Sequence, residues 1–324
     1  MCTAITVTKG DNYFGRNLDY EHTFCEKITI TPRNYPFSFK NGKKVNNHYA
    51  LIGMSLPYEG YPLYFDATNE KGLSMAGLNF VGNAKYEKSR SDKENIASFE
   101  FISWILCQCK TVSDAKTLIK DAIITDDAYS KDLKPTSLHW LIADKNEAIT
   151  VEQTKDGMKI YKNSVGVLTN NPTFDIQMFN LNNYLSLSNE KAVNKFFKEL
   201  NLEPYSNGMG AIGLPGDLSS MSRFVKACFM KLNSVFGKTE EEKVNHFFHI
   251  LYSVYQQKGC VKTDNGFEMT NYTSCCNTTR GIYYYTTYNN SRIYAVDMHR
   301  ENLDCDRIIT FDMIENEKFC IQNQ

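Results

Sequence analysis

Short runs rich in apolar and β-branched residues, broken by turn residues, mark the first third of the chain, as expected of strands. These runs predict strands at residues 3–8, 27–31 and 49–55. Two more, at 63–68 and 73–80, flank Asn69-Glu70-Lys71-Gly72, whose asparagine and glycine suit a tight turn, so a hairpin is predicted there. The period then changes. Residues 98–109 form an apolar run of helical length, and Thr111-x-x-Asp114 resembles a capping box opening a second helix over 115–122. Strands resume at 138–143, 148–153 and 165–169. One helix is predicted after Pro215-Gly216-Asp217, ending near residue 232. Another starts at Thr239-x-x-Glu242, where Val244, Phe247, Phe248 and Leu251 share one face. Strands close the chain at 281–288, 292–296 and 307–311. This order lacks strict βαβ alternation, repeats and Pro/Ser-rich linkers. It predicts antiparallel sheets covered by helices in a single domain over residues 1–324.

Composition narrows the function classes. The net charge of -1 arises from 36 basic and 37 acidic residues, well mixed, so no basic stripe points to nucleic acid or an anionic membrane surface. No apolar run approaches the roughly 18 residues that span a bilayer. Lys9, Asp11, Arg16 and Asp19 interrupt any apolar segment of a secretion signal, and the expectation is a cytoplasmic protein. In that compartment the ten cysteines are expected as free thiols. Cys107-x-Cys109 and Cys275-Cys276 lack metal-site spacing, and His246 and His249 have no third ligand, so neither a metal nor an organic cofactor is expected. His139 reads as structural, the Tyr283 to Tyr285 cluster as a packed strand or subunit surface, and the Asn-x-Ser/Thr triplets carry no weight without a secretion signal.

Cys2 stands apart because of its position. Removal of Met1 by an aminopeptidase would leave one residue carrying both a thiol and a free α-amine. A free cysteine has a pKa of about 8.5 and an α-amine one of about 7.7–8.0, so the amine can serve as base for its own side chain. Position alone does not make a site, since any second residue can be cysteine by accident. The following residues add to the case. Lys9-Gly10-Asp11-Asn12 is a turn signal, and a turn centred on Gly10-Asp11 places Asp19 opposite Cys2. A carboxylate there could orient the amine. Arg16, about 10 Å further along the returning strand, could reach the sulfur and favour the thiolate. The alternative for both is a surface ion pair.

Met1-Cys2-Thr3-Ala4-Ile5-Thr6 with Tyr13-Phe14-Gly15-Arg16-Asn17-Leu18-Asp19-Tyr20 resembles the opening of the choloylglycine hydrolase family, which includes bile salt hydrolases and penicillin V acylases. Further segments agree in order. They are Asp66-Ala67-Thr68-Asn69-Glu70-Lys71-Gly72-Leu73, Ala76-Gly77-Leu78-Asn79-Phe80, Leu138-His139-Trp140, the stretch from Gly166 to Phe174, and that from Gly213 to Phe224. The resemblance runs almost end to end. It implies an N-terminal-nucleophile hydrolase fold, an α+β four-layer αββα sandwich of two antiparallel sheets flanked by helices. It also implies Cys2 as nucleophile and base, Arg16 tuning the thiol, Asp19 holding the amine, Asn79 and Asn170 in the oxyanion hole, and Arg223 as support. Taken singly, each asparagine reads better as a turn or a satisfied core amide; together, and in the order of the family, they read as the site.

The implied reaction is hydrolysis of a glycine- or taurine-conjugated bile salt through a thioester on Cys2, in a protein assembled as a homotetramer. Leu18, Phe24 and Phe65 resemble substrate-facing positions, and the loop from Ala128 to Thr136 is expected to shape the entrance. That loop is more charged than the family suggests, and Tyr255 stands where relatives carry an acidic residue. The competing readings are a penicillin V acylase or other small-amide acylase, for which Asn79 is less suited, and a silent protein that binds amphipathic ligands.

Overall fold

Two antiparallel sheets face each other in the computed structural model, which describes residues 1–323. The first is built on a hairpin of β1 (Cys2–Lys9) and β2 (Asp11–Tyr20). Val167–Leu168 flanks β1, while Gly266–Asn277, Ile282–Thr287 and Asn290–Asp297 follow β2 in order. The second sheet runs Gly157–Lys162, Ala148–Thr154, Leu138–Ala143, Ser74–Asn79, Tyr61–Asn69, Leu51–Tyr58, Lys27–Thr31 and Ile309–Asp312.

Alternate residues of the second sheet go to different cores, as a strand period of two requires. Ile52, Met54, Ala76, Leu78 and Leu141 join a cluster that continues through the first sheet to Phe224 and Phe247. Leu51, Met75, Trp140 and Ile142 instead meet Phe101, Trp104 and Val112. These last belong to α1 (Phe101–Leu106) and α2 (Val112–Ile119), which cover the second sheet. After α3 (Phe174–Asn180), α4 (Ser220–Asn233) and α5 (Glu240–Tyr252) cover the first. The layers are helix, sheet, sheet, helix, the sandwich that the family resemblance implied.

Both capping boxes form. Thr111 Oγ1 accepts from the Asp114 N–H at 3.1 Å, and Thr239 Oγ1 from that of Glu242 at 3.2 Å; caps of this kind contribute about 1 kcal/mol each. The box moves the predicted helix forward to Val112–Ile119, because Ala122–Thr125 leaves as a strand to pair in parallel with Glu94–Ala97. The helix predicted over 98–109 shortens to Phe101–Leu106. The Asn69–Gly72 turn closes as predicted, with Gly72 at φ 90° and its N–H on the Asn69 carbonyl at 2.8 Å.

The longest strand, Gly266–Asn277, has no alternating pattern to announce it. Thr270, Asn271, Thr273, Ser274 and Asn277 on it are all buried. Gly15 allows this strand to approach β2, since a Cβ at that position would lie 2.0 Å from the Ser274 carbonyl oxygen.

Candidate active site

The turn between β1 and β2 is tighter than predicted. Gly10 takes a left-handed conformation at φ 79° and closes the hairpin alone, so Lys9 pairs with Asp11 and Cys2 with Leu18. Asp19 is therefore not opposite Cys2, a correction with a structural consequence. Cys2, Arg16 and Leu18 point between the sheets, whereas Thr3, Asn17 and Asp19 point toward α4 and α5. The partners agree with this division. Arg16 Nη1 donates to the carbonyls of Phe65 at 3.0 Å and Gly77 at 2.6 Å on the second sheet. Asn17 donates to the Leu251 carbonyl of α5 at 2.9 Å, and Thr3 Oγ1 accepts from Arg223 of α4 at 2.7 Å.

Arg16 reaches the sulfur. Its Nη2 lies 2.6 Å from Cys2 Sγ, and both side chains are buried. Burial works against the guanidinium charge, but Cys2, Tyr272, Asp66 and Asp19 outweigh it and push the Arg16 pKa up. Arg223, also fully buried, has its pKa lowered by burial, with only partial compensation from Asp19 and Cys2. It gathers the chain around Cys2. Nη1 donates to the Cys2 carbonyl at 2.5 Å, Nη2 to Asn170 Oδ1 at 2.8 Å and Nε to the Leu218 carbonyl at 3.0 Å. The first-turn position of this cation in α4, unfavourable for the helix dipole, is explained by these partners.

Asn170 Oδ1 also accepts the Cys2 main-chain N–H at 2.8 Å, and Asn170 Nδ2 donates to the Asn79 carbonyl at 2.8 Å. The half-buried side-chain amide of Asn79 has no hydrogen-bond partner among the described residues. Asp19 Oδ1 accepts from Thr270 at 2.6 Å; its buried Oδ2 has no hydrogen bond and sits 3.9 Å from Arg223 Nη1. The Met1 ammonium donates to the Asp19 carbonyl at 2.7 Å and pairs with Glu268. Leu18 is buried beside Cys2, and Phe24 and Phe65 are half-buried, with ring centroids 5.5 Å apart.

All nine residues singled out from the sequence therefore lie on or against one constellation at the start of β1, Phe24 through its contact with Phe65. The loop expected to shape the entrance sends Tyr129 to pack on Tyr58, Tyr61 and Phe99. His139 is a scaffold residue. It stacks on Phe80 at 4.1 Å and bridges Glu152 and the Thr169 carbonyl at 3.1 and 2.8 Å, next to Asn170. Thr270 and Glu268 were missed; their signal was a polar strand with no exposed face. Among the described residues, no cluster of three or more His, Cys, Asp or Glu is placed to hold a metal ion, and no helix is long and apolar enough to cross a membrane.

The model of linear amide C–N hydrolases of the choloylglycine hydrolase family matches residues 2–311. The chain belongs to this family. As a member it is a hydrolase acting on linear amide C–N bonds. It is 51% identical over its full length to the bile salt hydrolase/transferase of Lactiplantibacillus plantarum, which it also covers completely. Identity to the bile salt hydrolase/transferase of Clostridium perfringens is 38%, over 96% of each chain. A crystal structure of the C2A mutant of the Clostridium perfringens conjugated bile acid hydrolase superimposes with a TM-score of 0.92 at 36% identity, covering 100% of both chains. Penicillin V acylase from Agrobacterium tumefaciens shares the fold, with a TM-score of 0.76 at 19% identity over 96% of this chain and 91% of its own.

Proposed function

We propose that this chain hydrolyses the amide bond of glycine- or taurine-conjugated bile salts, with Cys2 as nucleophile once Met1 is removed. The observation that carries this reading is the buried Arg16 guanidinium 2.6 Å from Cys2 Sγ, in a chain half identical to a bile salt hydrolase over its full length. Removal of Met1 frees the nitrogen that Asn170 Oδ1 holds at 2.8 Å and turns it into an α-amine, and Asp19 Oδ2, which has no hydrogen bond, is the carboxylate oxygen left to hold it. The thiol gives its proton to this amine, and sulfur attacks the substrate carbonyl. Negative charge moves to the carbonyl oxygen, where the free Asn79 amide and the Asn170 Nδ2 group are the available donors; one such donor contributes roughly 2.7–4 kcal/mol. Collapse breaks the C–N bond, the amine nitrogen leaves with the stored proton, and a thioester remains on Cys2. Water, deprotonated by the same amine, then releases the bile acid.

Leu18, Phe24 and Phe65 offer an apolar wall for the steroid. Assembly into a tetramer and a cytoplasmic setting belong to the same reading. Exposed apolar side chains at the end of α3 and between α3 and α4, including Phe179, Leu185, Val193, Phe196, Tyr205 and Ile212, support burial against further copies.

The deciding experiment measures glycine and taurine released from conjugated bile salts by protein shown to lack Met1, with Cys2→Ala as control and penicillin V in parallel. Bile-salt cleavage lost in Cys2→Ala is the expected result. Cleavage of penicillin V alone moves the substrate to the acylase branch. Turnover of neither leaves an enzyme of another amide or the ligand-binding reading.

A further inference from the structure

A second buried cluster lies behind Arg16 and has no place in the steps above. Asp66, on Tyr61–Asn69, is only 2% exposed, and three hydroxyls converge on it. Tyr272 donates to Oδ1 at 2.8 Å, Tyr283 to Oδ2 at 2.7 Å and Ser274 to Oδ2 at 3.4 Å. Two links tie the cluster to Arg16. The Arg16 main-chain N–H donates to Ser274 Oγ at 3.2 Å, and Phe65, adjacent to Asp66, offers its carbonyl to Arg16 Nη1. Folding alone gives little reason for such an arrangement, because apolar groups of similar shape often replace buried charges at no loss. Burial raises the Asp66 pKa, opposed by Arg16, Tyr283, Tyr272 and Ser274. Burial and then the Asp66 charge hold Tyr272 and Tyr283 well above the usual phenol range, so both remain donors. The other titratable or charged groups around the sulfur and this carboxylate are Asp19 and Tyr20 on β2, Cys276 on Gly266–Asn277, Arg223 on α4, and the terminal amine.

We propose that Asp66, held by Tyr272, Tyr283 and Ser274, is a positioning residue that fixes Arg16 against Cys2 and tempers the positive field on the sulfur. This rests on the reading of Cys2 as nucleophile. An unbalanced buried guanidinium would stabilise negative sulfur strongly, and a thiolate so stabilised attacks more slowly. Asp66 offsets part of that charge, leaving the sulfur both oriented and reactive.

The test follows alkylation of Cys2 by iodoacetamide against pH, without substrate, in protein lacking Met1, read by mass on the tryptic peptide ending at Lys9. Asp66→Asn keeps the shape and removes the charge. Its acid limb is expected to move down by about one pH unit, giving roughly tenfold faster labelling at the foot of the limb and a lower plateau. Tyr283→Phe is expected to move the limb the same way by less, and to add nothing to Asp66→Asn. An unmoved limb in folded Asp66→Asn overturns the proposal; should that variant not fold, an unmoved limb in Tyr283→Phe does so. Absence of selective labelling in the unsubstituted protein removes the nucleophile reading and this proposal with it. A shifted limb in a protein that does not cleave bile salts upholds the proposal and changes only the substrate.

Discussion

At the scale of single residues, two buried arginines divide the work around Cys2. Arg16 addresses the sulfur from between the sheets, and Arg223 addresses the main chain and Asp19 from the helix side. Replacing Arg223 with methionine leaves Asp19 buried without its cation, and removal of one member of a buried ion pair costs about 3–5 kcal/mol. Urea unfolding of Arg223→Met is expected to show a loss of that size. Arg223→Lys restores the charge but not the planar fork that joins the Cys2 carbonyl to Asn170 Oδ1. It should recover most of the stability while kcat/KM stays low. Equal losses of stability in both variants would show that the fork, and not the charge, carries the effect.

At the scale of elements, close approach sets the demands. An alanine Cβ at Gly15 would meet the Ser274 carbonyl and force β2 from its neighbour. Gly15→Ala is expected to destabilise by at least about 1–3 kcal/mol and to reduce activity by displacing Arg16, measured by urea midpoint and turnover together. A second element-level contact is pH-dependent. Glu100, just before α1, accepts the N–H groups of Lys40 and Ala97 at 3.0 and 3.1 Å beside a cavity of about 590 Å³ lined in part by Tyr35, Phe39, Tyr61, Phe99 and Tyr129. Burial raises its pKa from 4.5 to about 7, so the folded state holds the proton more tightly. Stability is fully present below pH 4.5 and lost as pH rises to about 7, by roughly 3 kcal/mol at about 1.4 per unit. Urea midpoints across that window should fall, and Glu100→Gln should flatten the trend.

These elements also show what could be read without coordinates. Capping boxes, the Asn69–Gly72 turn and the β-rich runs are local signals, and the structure keeps them with small shifts at the ends. Gly266–Asn277 escaped because its polar side chains are buried against Asp19, Asn17 and Asp66, which are themselves polar. Those side-chain partners are remote in the chain, so no local pattern announces its burial, although Ile282–Thr287 pairs with it as a sequence neighbour. The hairpin register is local but turns on a single residue: a glycine closing the turn alone moves Asp19 to the other face.

At the scale of the whole molecule, one surface departs from the rest. The segment joining α3 to α4 leaves Leu185, Phe196 and Tyr205 more than four-fifths exposed. Sedimentation of the unsubstituted protein is expected to report a mass above 37.2 kDa, and Phe196→Glu with Leu185→Glu to lower it. A monomer in the unsubstituted protein would assign that surface another role. A different consequence follows from the start of β1. The Met1 carbonyl accepts the Asp19 N–H at 3.0 Å, so the initiator residue simply prolongs the strand pairing. Molecules with and without Met1 should then share a fold, and with it a far-UV spectrum and an elution volume. Purity on those criteria says nothing about how many molecules in a preparation can turn over. On the proposed role of Cys2, specific activity is to be expressed per free N-terminal cysteine, counted by end-group chemistry, and not per milligram.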